Sequence, residues 1–154
     1  MSEHVATIAW SRGDQPFSDK RYSRAHDWTF DGGAVVRGSS APTSVRVPFS
    51  DPAAVDPEEA MVASLSSCHM LWFLDFAARA GFVVDRYEDH ASGVLGRDEA
   101  GRSLMTEVTL RPVATFSGRQ PDQAELDHLH HQAHEHCDMA HSVKATIRVE
   151  ASFG

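Results

Sequence analysis

Two cysteines and a run of histidines carry most of the reactive chemistry in this chain of 154 residues. Cys68 stands in Ser66-Ser67-Cys68-His69, inside an otherwise apolar stretch, and Cys137 stands in His134-Glu135-His136-Cys137-Asp138-Met139. A cysteine in an apolar helix is by default a small buried hydrophobe. The polar neighbours of Cys68 change that expectation, because each needs a partner or a cavity in a greasy setting. A pocket at Cys68 would accommodate them. Cys137 falls where a helix is expected to end, a place where a thiol is reached without unravelling the core. Joining the two across 69 positions requires their Cα atoms to come within about 7 Å, which spacing alone does not show.

The histidines are the competing site. His128, His130, His131, His134 and His136 precede Cys137, and His130 and His134 lie one helical turn apart, a spacing that suits a divalent metal, with His131 and His134 a weaker pair. No carboxylate or second cysteine holds a fixed spacing to them. The expectation is therefore a polar, solvent-facing helix surface and no resident metal or other cofactor.

These side chains need elements to position them. Asp56-Pro57-Glu58-Glu59 reads as a helix start, with Asp56 as N-cap, Pro57 at the first helical position and two acids in the first turn. The helix should run to Ala80 and stop at Gly81. Met61, Leu65, Cys68, Trp72 and Phe76 recur at three or four residues and mark its inner face. A second helix is expected over residues 122–136, with Ala124, Leu126, Leu129 and Ala133 inward.

Short β-prone pieces fill the first 50 residues, at 5–10, 28–30, 34–37 and 43–47, and turn-formers such as Asp31-Gly32-Gly33 separate them into a meander. Two longer strands are expected over 83–95 and 103–116, with Pro112 marking an edge or a bulge in the second. A last strand over 143–151 alternates apolar and polar residues. The order of strands, long helix, strands, helix, strand is an α+β pattern, expected to form a single domain over residues 1–154.

Composition excludes several functions. With 14 Lys+Arg against 22 Asp+Glu the formal charge is −8, and no basic cluster offers a phosphate footprint, so nucleic acid is not an expected partner. The segment Met1-Ser2-Glu3-His4-Val5-Ala6 has no secretory pattern. The most apolar stretch, 60–82, is interrupted by Ser64, Ser66, Ser67, His69, Asp75 and Arg79, which suits a buried helix rather than a membrane span. A cytoplasmic protein is expected, and in a reducing compartment two cysteines are free, catalytic or metal-bound rather than a standing crosslink.

Taken together, Asp56-Pro57-Glu58-Glu59, Ser67-Cys68-His69, Ala80-Gly81-Phe82, Val108-Thr109-Leu110-Arg111-Pro112 and Ala133-His134-Glu135-His136-Cys137 resemble the OsmC/Ohr family, the osmotically inducible protein C and organic hydroperoxide resistance group. The resemblance covers the chain from about Trp28 onward. It implies an OsmC-like fold, antiparallel sheets around a long central helix in an intertwined homodimer. It further implies a thiol peroxidase for organic hydroperoxides, in which Cys68 attacks the peroxide, Cys137 resolves the sulfenic acid as a disulfide, and a thiol or dihydrolipoyl-type reductant regenerates both.

The family site adds an arginine that holds the thiolate and a glutamate that orients the arginine. Glu58 matches the glutamate. It stands ten residues before Cys68, about 15 Å along a straight helix, so the intertwined dimer implies that a second chain supplies it. Arg24 is the preferred arginine, with Arg46 the alternative. The family commonly has proline after the resolving cysteine. Asp138 stands there instead, a negative charge that opposes thiolate formation at Cys137 unless His69 or His136 compensates. A relative that keeps the fold but binds a small apolar or electrophilic ligand is the other reading of the same pocket.

Overall fold

The computed structural model describes residues 1–154 and divides into two compact units, 1–60 and 61–154. The secondary structure is α+β, as expected.

In the first unit, β1 (Ala6–Ala9), β2 (His26–Phe30) and β3 (Val35–Gly38) form an antiparallel sheet in the order β1-β2-β3. The Asp31-Gly32-Gly33 turn closes the second hairpin: Gly33 takes a φ of 84°, which glycine adopts without a Cβ clash. Gly38 has a different reason to be glycine. A Cβ there would lie 2.6 Å from Trp28 Nε1 and 2.7 Å from His26 Nε2, two atoms that hydrogen-bond each other at 2.7 Å. The expected strand over 43–47 does not form. Ser44 and Val45 donate their amides back to Ala41 and Phe49 donates to Arg46, so this proline-bracketed segment satisfies its backbone in local turns.

Helix α1 (Pro57–Arg79) starts and stops where the sequence indicates. Glu59 N donates to Asp56 Oδ1 at 2.7 Å and Asp56 N donates to Glu59 Oε2 at 3.2 Å, a reciprocal capping box. Gly81, with φ 80°, ends the helix as Phe82 N reaches back to the Ala77 carbonyl. Asp56 is buried and both arms of its box are made, so Asp56→Ala is expected to cost about 1 kcal/mol of stability, read as a lower urea midpoint at unchanged slope.

In the second unit the buried stripe of α1 is Leu65, His69, Phe73, Phe76 and Ala77. The expected face is thus rotated: Leu65 and Phe76 point inward, but Cys68 and Trp72 are only half-buried at its edge. His69 takes the inward place because a partner awaits it there, described below. By length and composition α1 is apolar enough to cross a membrane, yet this stripe packs into two core clusters. One joins Phe73, Phe76 and Ala77 to Phe82, Phe116, Leu126 and Leu129, and the other joins Leu65 to Met105, Val108 and Leu110.

Both long strands expected from the sequence break in two and distribute over two sheets. The first becomes β4 (Val83–Asp89) and β5 (Ser92–Arg97), the second β6 (Ser103–Leu110) and β7 (Pro112–Ser117). Asp89 pins the break, since its carboxylate accepts from the Arg111 amide at 2.6 Å and from Ser66 Oγ at 2.5 Å. Pro112 opens β7, where no ladder N–H is required, and β7 is the middle strand of its sheet, not an edge.

Helix α2 (Gln123–His136) begins with a second capping box, between Asp122 and Glu125, and buries Leu126, Leu129, His130 and Ala133, whereas Ala124 is exposed. The four-residue α3 (Asp138–His141) follows directly. The last expected strand is also divided, into β8 (Thr146–Val149), parallel to β6, and β9 (Ser152–Phe153), parallel to β7. The sheets β4-β7-β9 and β5-β6-β8 are therefore mixed rather than wholly antiparallel. Along β8 the half-buried Ile147 and Val149 alternate with exposed Thr146 and Arg148, as the sequence pattern requires.

Candidate functional site

The two cysteines meet in the second unit. Cys68, in the middle of α1, is half-buried, and Cys137, at the junction of α2 and α3, is 1% exposed; both are free thiols. Cys137 ends α2 and caps α3, and its Sγ accepts the Ala140 amide at 3.4 Å. Burial, followed by a side-chain hydrogen bond with Cys68, pushes the Cys137 thiol up to about 11, against the opposing pull of the Ala140 amide. A hydrogen bond that raises an acid stabilises its protonated form. The neighbouring Cys68 thus helps hold the Cys137 thiol in its protonated form.

Asp138 was expected to oppose thiolate formation at Cys137, but burial and Cys68 account for the rise. Asp138 instead lines the cleft over Cys68. This open cleft has a volume of about 560 Å³. Leu71 and Trp72 give it apolar surface, Ser64 and Ser67 hydroxyls, and Asp75 and Asp138 carboxylates. Trp72 is fixed by stacking on Phe76, with centroids 5.7 Å apart, and by the His136 ring at 5.3 Å. Each polar residue around Cys68 thus has its partner or its cavity: Ser66 on Asp89, Ser67 and Cys68 at the cleft, and His69 on His130.

His69 and His130 form a feature that the sequence reading missed. Their rings are buried, stacked at 3° and 5.3 Å, and share a hydrogen bond between His69 Nε2 and His130 Nδ1 of 3.0 Å. The only signal in the sequence was a histidine within each apolar periodicity. Burial holds both rings neutral, lowering His69 to about 4 and His130 to about 3. His69 therefore brings no charge to the thiols, and His136 donates Nδ1–H to the Gln132 carbonyl at 2.9 Å while packing on Trp72 and Phe76.

The pair has a consequence for stability. In the unfolded chain both histidines titrate near the ordinary value of about 6.5 and take up protons below it, whereas the folded rings refuse them until about 4 and about 3. Their contribution is full above the unfolded value and is lost as the pH falls toward the folded values. Unfolding free energy is expected to drop by about 4 kcal/mol between about pH 7 and about pH 5, about 2 kcal/mol from each ring. His130→Gln should flatten that slope in urea titrations, because one of the two proton uptakes is removed.

The expected solvent-facing histidine surface is only partly present. His128, His131 and His136 are exposed, but His130 is buried and His134 half-buried. No group of three or more His, Cys, Asp or Glu side chains is arranged to hold a metal ion.

Arg24, Arg46 and Glu58 belong to the first unit. Arg24 Nη1 donates to the Lys20 carbonyl at 2.7 Å and to the Tyr22 carbonyl, and its guanidinium lies 3.9 Å from the Tyr22 ring centre. Arg46 lies over Phe49 at 5.9 Å. Glu58 is half-buried in the first turn of α1, and because Glu59 closes the capping box, the Glu58 carboxylate is not committed to the cap.

The family whose description is OsmC-like protein matches residues 50–152, a span that includes both cysteines and Glu58. Among solved structures, an OsmC-like protein of unknown function from Vibrio cholerae is 47% identical, with 99% of this chain and 100% of that chain covered and a TM-score of 0.97. An organic hydroperoxide resistance protein from Elizabethkingia anophelis is 16% identical over 100% of this chain and 96% of that one, with a TM-score of 0.72. The organic hydroperoxide resistance protein OhrB of Bacillus subtilis is 18% identical over 99% and 98%, with a TM-score of 0.65. These last two are alike in fold. No curated protein matches the chain by sequence. The family match over two thirds of the chain and the near-superposable Vibrio relative place the chain: it belongs to the OsmC-like family.

Proposed function

We propose that this protein is a thiol peroxidase that reduces organic hydroperoxides, with Cys68 as the attacking and Cys137 as the resolving cysteine. The observation that carries the reading is their proximity: a buried Cys137, held protonated by burial and by the neighbouring Cys68, beside a half-buried Cys68 that lines an open cleft. The Cys68 thiolate attacks the outer peroxide oxygen. An S–O bond forms, the O–O bond breaks, and the alkoxide leaves and takes up a proton as the alcohol. The Cys137 thiol then attacks the sulfenic sulfur; an S–S bond forms and hydroxide departs with the thiol proton as water. A thiol or dihydrolipoyl-type dithiol supplies two electrons by exchange and restores both thiols, in keeping with a cytoplasmic setting. Leu71 and Trp72 favour peroxides with an organic body over hydrogen peroxide.

Glu58 and an arginine complete the site from a second copy of the chain. Helix α1 runs unbroken from Pro57, so Glu58 stands about 15 Å along its axis from Cys68. The first unit also leaves Ile8, Phe17 and Val35 more than half exposed, as a surface covered in an assembly would be. Arg24 is the arginine of this reading, and Arg46 is the alternative because Arg24 is already held on two carbonyls of its own turn. Dithiothreitol-dependent reduction of cumene hydroperoxide, faster than that of hydrogen peroxide, is the test. Saturable binding of the hydroperoxide without turnover would favour a ligand-binding relative, and full activity in a strict monomer would remove the second-copy part.

A further inference from the structure

The cleft over Cys68 carries a charge that the reaction does not use. Among the side chains that line it, none is a lysine, arginine or histidine, whereas Asp75 and Asp138 are both acids. Asp75 is compensated, since Arg79, one turn further along α1, pairs with it at 2.7 Å. Asp138 is not. It is the first residue of α3, immediately after Cys137, and no ion pair engages its carboxylate. Its backbone carbonyl is occupied, by Ser142 Oγ at 2.7 Å, which holds the turn that carries the side chain. The chain's overall charge of −8 acts in the same direction at longer range.

We propose that Asp138 makes the Cys68 cleft a charge filter, which admits uncharged hydroperoxides and electrophiles and repels those that bear a carboxylate. As applied to hydroperoxides this rests on the peroxidase reading above. The arginine and Glu58 that the reading adds carry opposite charges, so Asp138 still sets the sign. Because Asp138 is exposed, water and salt screen it. The expected discrimination is therefore several-fold and sensitive to ionic strength, not absolute.

Two matched pairs of reagents isolate charge from shape. Iodoacetamide and iodoacetate deliver similar alkyl groups, one neutral and one anionic, to Cys68, and the modified peptide is quantified by mass spectrometry. A fatty-acid hydroperoxide and its methyl ester form the second pair, followed by dithiothreitol oxidation. For both pairs the neutral-to-anionic rate ratio is expected to be about threefold to tenfold higher in the wild type than in Asp138→Asn at about 10 mM salt, and to converge at about 1 M. The ratio cancels any general change in thiol reactivity that the substitution causes. An alkylation ratio that is the same in both proteins at low salt would overturn the filter. A shifted alkylation ratio with neither hydroperoxide reduced would support the filter and overturn the peroxidase reading instead.

Discussion

Cys68→Ser is expected to leave the fold intact and to remove dithiol-dependent reduction of cumene hydroperoxide, with kcat/KM falling by about a thousandfold or more. The size of the effect follows from the chemistry. A serine hydroxyl does not ionise near neutral pH and forms no stable product with the peroxide oxygen, so nothing replaces the sulfenic acid that begins the cycle. The fold should tolerate the change because Cys68 is only half-buried, at a cleft that Ser64 and Ser67 already line. Substitution at the buried Phe73 or Leu65 would confound activity with stability, and Cys68→Ser does not. The measurement is hydroperoxide loss beside a thermal melt. Undiminished turnover in a folded variant would mean that the chemistry lies elsewhere.

Cys137→Ser should fail differently. Cys68 remains, so a single turnover without added reductant is expected within about threefold of the wild-type rate. Sustained turnover should fall by about tenfold or more as Cys68 advances to the sulfinic acid. The wild type is expected to escape this because Cys137 already interacts with Cys68 before oxidation. Burial that pushes Cys137 up to about 11 keeps it protonated and unreactive until the sulfenic acid appears beside it. Mass spectrometry of the Cys68 peptide after excess hydroperoxide separates the outcomes: sulfinic acid should accumulate in the variant and disulfide in the wild type. Equal sustained turnover would take the resolving role away from Cys137.

What the sequence revealed and what it concealed divide along the range of the interactions. Local signals were legible. Asp56-Pro57 capped α1, Gly81 ended it, and Asp122 opened α2, because in each case the partners lie within four residues. The inner face of α1 was misjudged because hydropathy gives histidine no inward preference, and the partner that makes His69 an inward residue, His130, lies 61 positions away. The two long strands were legible as β-structure but not as four, since the break depends on one carboxylate, Asp89, joining α1 to the Arg111 amide. The segment 43–47 has strand composition, yet its Ser44 and Val45 amides turn back to the Ala41 carbonyl instead of pairing with a neighbouring strand.

At the site, the polar run around Cys68 correctly announced a cleft, Cys137 stood out at the end of the second helix, and resemblance implied a resolving role for it, but none of these could supply their contact. The negative charge at Asp138 was visible from the sequence and its consequence was not. Sequence proximity to Cys137 suggested an effect on that thiol, and only the structure placed Asp138 in the wall of the cleft.

The most direct measurement is the fate of both thiols under one equivalent of cumene hydroperoxide per chain, without reductant. Free thiols should fall from two per chain to none as one alcohol is released, and peptide mapping should find Cys68 joined to Cys137. Two thiols surviving, or Cys68 oxidised while Cys137 stays free, would show that the contact between them is packing and not a redox pair.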